Sequence, residues 1–164
     1  MNDLLSNTDI EQYCKQLKIP LNAILQKDLY KSLIPKEGAY VINLQDSNVG
    51  NGTHWTALYV FPNHIVYNDS FGFPIPTPII RFISRYKPNK RIKIYRSTDQ
   101  IQDFNSIYCG WYCLFFLYYM NRNKRSTNIR ELLNKHNALY SMKDKKDNDR
   151  KLQSYIGSIF RKTT

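Results

Sequence analysis

The chain has 164 residues, 42% hydrophobic and 14% aromatic, which suits one packed domain over residues 1–164 and argues against wholesale disorder. The longest apolar run, Trp111 to Met120, is too short to span a bilayer, and the first residues lack the basic start and apolar core of a secretory signal. Three cysteines without framework spacing point to free thiols in a reducing, intracellular setting, and the net charge of +11 favours polyanionic partners over membranes.

Thr8-Asp9-Ile10-Glu11 reads as a capping box, and Ile10, Tyr13, Cys14 and Leu17 then recur at helical spacing until Pro20. "AYVINL" (Ala39 to Leu44) reads as a short strand, and "NVGNGT" as a loop of residues that accept unusual backbone angles. "HWTALYVF" and "HIVYNDS" read as an antiparallel hairpin turning at Pro62-Asn63. Thr77-Pro78 offers an N-cap and a first-turn proline for a short helix. "RIKIYRS" (Arg91 to Ser97) alternates basic and apolar residues like a half-buried strand. A polar connection then leads to a helix from about Cys109 to Met120, apolar on nearly every face and therefore central and buried. The tail predicts helices over roughly 128–140 and 147–160, with "KDKKDND" as a charged turn between them. This order of elements predicts an α+β fold, a small mixed sheet packed on a central buried helix with flanking helices.

Charge is one-sided. Residues 1–78 hold five Lys/Arg against seven Asp/Glu, whereas residues 121–164 hold twelve against four. All the excess basicity lies beyond Pro78, a distribution that suits non-specific DNA contact through counterion release. No zinc-finger, helix-turn-helix or RNA-binding aromatic signature accompanies it.

Cys109 opens the apolar helix, where backbone N–H groups stabilise a thiolate, and Gly110 beside it leaves room for a substrate chain. A nucleophilic thiol needs a base. Of the three histidines, His136 lies in the basic tail helix and is expected at the surface, and His64 is expected to be exposed at a strand start. His54 begins a strand after a flexible loop, with Trp55 to wall it from water. Asp69 should lie across the hairpin from His54, where a carboxylate would hold imidazole Nδ1. Gln102, seven residues before Cys109, could add an amide to an oxyanion hole. Cys14 and Cys113 read as core residues, and the cysteines supply no zinc shell.

"GTHW" (Gly52 to Trp55), "NDSFGF" (Asn68 to Phe73) and "QDFNSIYCGWYC" (Gln102 to Cys113) resemble the adenovirus protease family of cysteine proteases, and more broadly the group that includes the SUMO proteases. The resemblance is best over roughly residues 38–120. It implies a papain-like fold in permuted chain order, with Cys109 as nucleophile, His54 as general base, Asp69 as the acid and Gln102 as the oxyanion-hole amide. Aspartate at the acid position follows the SUMO proteases, where the adenovirus enzyme has glutamate. Trp55 and Gly110 are expected to border the substrate.

The implied activity is a monomeric endopeptidase that needs no cofactor or metal. It would process capsid or core precursor proteins at glycine-containing sites during virion maturation, in the virion and at the host-cell site of assembly. Enzymes of the adenovirus type are activated by a disulfide-linked peptide and by DNA. The cysteine for that link would align near Arg91, where there is none, so covalent peptide activation by that route is not expected; stimulation by DNA, through the basic surface, or by an activating peptide held otherwise stays open. A ubiquitin-like-protein isopeptidase would share the same four residues. A basic nucleic-acid-binding protein with a vestigial site is the alternative from another class.

Overall fold

The computed structural model describes residues 4–26, 33–44 and 54–163. The "NVGNGT" loop, with Gly52 of the first motif, lies outside the described residues. Five strands form one mixed sheet in chain order: β1 (Leu21–Gln26), β2 (Gly38–Asn43), β3 (Trp55–Val60), β4 (His64–Asn68) and β5 (Lys93–Arg96). The two outer pairings are parallel and the two inner ones antiparallel.

Alternation along β2 to β4 sends side chains to two cores. Ala39, Val41, Trp55, Ala57 and Val66 face one cluster, in which helices α1 (Asn7–Gln16), α3 (Cys109–Arg122), α4 (Ile129–Asn137) and α5 (Lys145–Thr163) pack. Tyr40, Ile42, Leu58, Ile65 and Tyr67 face the other, closed by Ile79, Phe82 and Ile83 of α2 (Thr77–Ser84). α3 is the central helix, lying along β3 and touching α1, α4 and α5. Its first nine residues are all buried, which accounts for its weak amphipathic pattern.

Several boundaries moved. The first helix is capped two residues early: Ser6 Oγ accepts from Asp9 N at 3.2 Å, and Asp9 Oδ2 accepts from Ser6 N at 2.8 Å. It ends at Gln16, well before Pro20, in a Schellman turn, with Ile19 N bonded to Cys14 O at 2.8 Å and Lys18 at φ +55°. α2 takes Pro76 as its N-cap, so Thr77 is already helical. β5 is an exposed edge rather than a half-buried strand, with Ile94 at 49% exposure. α5 starts at Lys145, inside the stretch expected to be a turn. β1 has no counterpart in the sequence reading, because a bulge between Leu21 and Ala23 breaks its alternation.

His136 overturns its surface expectation. Ile129, Leu132, Leu133 and His136 form an i, i+3, i+4, i+7 stripe that α4 buries against α3. The imidazole is fully enclosed among the rings of Phe115, Phe116, Tyr119 and Tyr140, with Nδ1 3.1 Å from Asn137 Oδ1. Burial disfavours its charged form and pulls its pKa down to about 4, although Asn137 opposes this. A histidine depressed in the folded state is protonated first in the unfolded chain, so stability falls as pH drops from about 6.5 toward 4. The loss should be on the order of 3 kcal/mol over that window. Urea titrations at pH 7 and pH 4.5 should show it, and His136→Phe, which suits the aromatic cage, should flatten that dependence.

Candidate active site

The β3–β4 hairpin sets the first pair. Its register places Ala57 opposite Asn68 and Leu58 opposite Tyr67. Continued outward, it puts Asp69 opposite Thr56, so His54 and Asp69 are diagonal rather than direct neighbours. That separation suits a side-chain bond: His54 Nε2 lies 2.9 Å from Asp69 Oδ1. The expectation of a carboxylate on Nδ1 is thereby corrected; Asp69 takes Nε2 and leaves Nδ1 as the ring nitrogen for the thiol.

Asp69 is fully buried, whereas the His54 side chain is 21% exposed. The same Oδ1 accepts from Phe71 N at 2.8 Å, and Gly72 N bonds to Asp69 O at 2.8 Å. The aspartate therefore shapes its own turn and grips the imidazole with the same oxygen.

Cys109 is the first residue of α3 and 6% exposed. The N-cap residue Tyr108 makes no side-chain cap bond and the helix's first turn holds no acidic residue, so the helix's own first turn leaves its N-terminal dipole in place beside the thiol. The Cys109 side chain lies within reach of the imidazole and helps to hold its proton. Burial alone would lower the His54 pKa. Hydrogen bonding and electrostatic attraction from the Asp69 and Cys109 side chains outweigh it and push the imidazole up to about 9.

Gln102 is fully buried beside this turn. Ser70 O accepts from Ile101 N at 2.9 Å and from Gln102 N at 3.0 Å, while Ser70 Oγ donates to Gln102 Oε1. The residue after the aspartate thus stitches the glutamine loop to the hairpin. Gln102 Nε2 lies 2.9 Å from Ser106 O and 3.2 Å from Ser106 Oγ.

The two remaining site expectations change character. A Cβ on Gly110 would meet Leu5 side-chain atoms at 3.1 to 3.3 Å, so the space beside Gly110 is filled by the chain's own Leu5 rather than kept for substrate. Trp55 is 3% exposed and packs in the same cluster as Cys109; it backs the site from the interior and offers substrate almost no surface. Exposed aromatic surface comes instead from residues the sequence reading passed over. Phe71 stacks on His54 at 4.5 Å between ring centres, Phe104 lies 5.1 Å from Phe71, and Phe73 6.0 Å from Phe104. Phe73 and Phe104 are 50% and 60% exposed. Their signal in the sequence was the apolar spacing in the otherwise polar "NDSFGF" and "QDFNSI" segments.

The other candidates lie elsewhere. Partly buried His64 stacks on Tyr95 at 6.0 Å, and Cys14 and Cys113 are buried core thiols as expected.

No protein-family model matches the chain, and no curated protein matches it. Among solved structures it is similar to the ASFV pS273R protease. The match to a selenomethionine crystal structure covers 84% of this chain and 68% of that one, at 18% identity and a TM-score of 0.53. A second crystal structure of that protease aligns over 54% of this chain and 34% of that one, at 24% identity and a TM-score of 0.41. The first likeness gives the fold, the α+β architecture of a papain-like viral cysteine protease. These two solved structures are of the ASFV enzyme and not of the adenovirus one.

Proposed function

We propose that this chain is a cysteine endopeptidase that cleaves glycine-containing sites in capsid or core precursor proteins during virion maturation. The observation that carries the proposal is the His54–Asp69 hydrogen bond, with Cys109 within reach of the same imidazole at a helix N-terminus beside a buried glutamine. The fold shared with the ASFV protease supports it.

In the proposed reaction His54 takes the thiol proton and the Cys109 sulfur attacks the scissile carbonyl. The oxyanion is held by Gln102 Nε2 and the Cys109 backbone N–H. Ser106 O and Oγ both lie within bonding distance of Gln102 Nε2, so in this reading one of its two hydrogens exchanges a Ser106 oxygen for the oxyanion. His54 then gives its proton to the leaving amine as the C–N bond breaks. Water, deprotonated by His54, hydrolyses the thioester and restores the thiol. Asp69 holds the imidazole throughout, and the rings of Phe73 and Phe104 offer apolar surface to the flanking substrate chain.

Exposed Lys90, Arg91, Lys93 and Arg96, on β5 and just before it, belong to the basic stretch proposed to meet DNA. The test is peptide-library profiling by mass spectrometry, with wild type and Cys109→Ala, each with and without duplex DNA. Cleavage clustered at glycines in extended peptides, absent in Cys109→Ala, is the expected result. A folded ubiquitin-like conjugate cut while every peptide stays intact would make it an isopeptidase instead.

A further inference from the structure

We propose that Asp149, on the second turn of α5, is a positioning residue that, with the Ser106 carbonyl, holds the polarity of the Gln102 amide through Ser106 Oγ. This rests on the reading of Gln102 as an oxyanion donor. A glutamine amide has two nearly isosteric ends, and only the NH₂ end helps a developing oxyanion. The carbonyl end turned inward would repel it.

Two hydroxyls flank that amide, and a hydroxyl can either donate or accept. Ser70 Oγ donates to Oε1. Ser106 Oγ must do the opposite, and what compels it is Asp149. An ionised carboxylate only accepts, and Asp149 Oδ1 lies 3.0 Å from Ser106 Oγ and 3.0 Å from the Tyr112 hydroxyl. With its hydrogen committed to Asp149, Ser106 Oγ turns lone pairs toward Gln102 Nε2 at 3.2 Å and toward Tyr108 N at 3.3 Å. Tyr108 is the N-cap of α3, directly before Cys109. A single carboxylate thereby orders both proposed oxyanion donors, the glutamine amide and the backbone at the helix start.

The neighbouring residue reinforces the link. Asn148 is fully buried and donates to Ile101 O at 2.7 Å and to Ser141 O at 2.8 Å, while its Oδ1 accepts from Ser141 N at 2.7 Å. The start of α5 therefore grips the glutamine loop on both sides of Gln102. The basic C-terminal helix belongs to the catalytic apparatus by position, although its sequence carries no motif.

Without the carboxylate, the Ser106 hydroxyl is free to point its hydrogen at Nε2, and the Ser106 carbonyl at 2.9 Å then favours the amide's working orientation against it. Removing an oxyanion donor outright costs about 10²–10³ in kcat. Loosening one should cost roughly tenfold or more.

The experiment measures kcat and KM on a fluorogenic Gly-Gly aminocoumarin peptide for wild type, Asp149→Ala, Asp149→Asn, Gln102→Ala and the Asp149→Ala/Gln102→Ala pair. Cys109 alkylation by iodoacetamide is followed in each, because that reaction needs no oxyanion hole. Asp149→Ala should lower kcat about tenfold or more with KM and alkylation unchanged. Asp149→Asn, which keeps an acceptor oxygen, should recover most of the rate. In the double variant the Asp149 change should add nothing to the Gln102 loss. Wild-type kcat in Asp149→Ala, additive losses, or alkylation slowed in parallel would overturn the proposal. Full activity in Gln102→Ala would instead sink the oxyanion-hole assignment, and the positioning role with it.

Discussion

Cys109→Ala should abolish peptide hydrolysis, with a loss in kcat on the order of 10⁴-fold or more, while the protein stays folded. The thiol contributes only its own small burial, and Ala removes one atom from a site whose backbone is held by α3 and by Leu5. His54→Ala should lose a comparable amount, because the thiol then has no base, and the double variant should be little worse than either single one. Non-additivity is the informative part: two independent losses would multiply, whereas members of one proton-transfer unit do not.

The pH profile tests the same pair from another side. With its pKa near 9, the imidazole keeps the proton it has taken from the thiol through neutral pH and can give it to the leaving amine. That proton is lost as pH rises through about 9, so kcat/KM should fall on the alkaline side there. Asp69→Ala removes the hydrogen bond and the charge that hold it up, so this limb should move toward the ordinary histidine range near 6.5. A limb that stays put in Asp69→Ala, or a His54→Ala protein that keeps its rate, would sink the assignment.

Gly72→Ala should destabilise the protein by about 2–5 kcal/mol, while Gly157→Ala should stabilise it by about 0.5–1 kcal/mol. The opposite signs come from what a new methyl group meets. Gly72 has φ +75°, and its Cβ would fall 2.7 Å from Thr98 O, 2.9 Å from Asp99 C and 3.0 Å from Gln100 N. All three are backbone atoms of the segment that leads into Gln102, so relief requires moving the glutamine. The same substitution strains the turn in which Gly72 N bonds to Asp69 O. Activity should therefore fall along with stability. Gly157 sits within α5, where the nearest atom is Arg161 Nη1 at 3.6 Å, an ordinary contact, and alanine is simply the better helix former. Urea midpoints for the two variants, read beside wild type, decide it; a Gly72→Ala protein as stable as wild type would mean the 98–102 segment yields freely.

Features written in short-range pattern were legible in the sequence alone. Alternation along β3 and β4 around Pro62-Asn63 set the hairpin, and with it the approach of His54 to Asp69. The unbroken apolar run after Cys109 set the central helix, because a helix buried on all sides has no polar face to show. The quoted motifs carried Gln102 and Cys109 in order. Where local pattern was interrupted, reading failed: the bulge in β1 hid a strand, and the basic residues around His136 masked the stripe that buries it.

Tertiary structure decided the rest. Which imidazole nitrogen meets Asp69 depends on the two-residue offset across the hairpin, and what fills the space beside Gly110 depends on where Leu5 docks. The ties from Ser70 to Gln102 and from Asp149 to Ser106 join residues 32 and 43 positions apart. Hydrophobic period and turn chemistry act over a few residues and are written in the chain. Contacts between distant hydroxyls, amides and carboxylates carry no period, and only the packing of α3 and α5 against the sheet brings them within bonding distance.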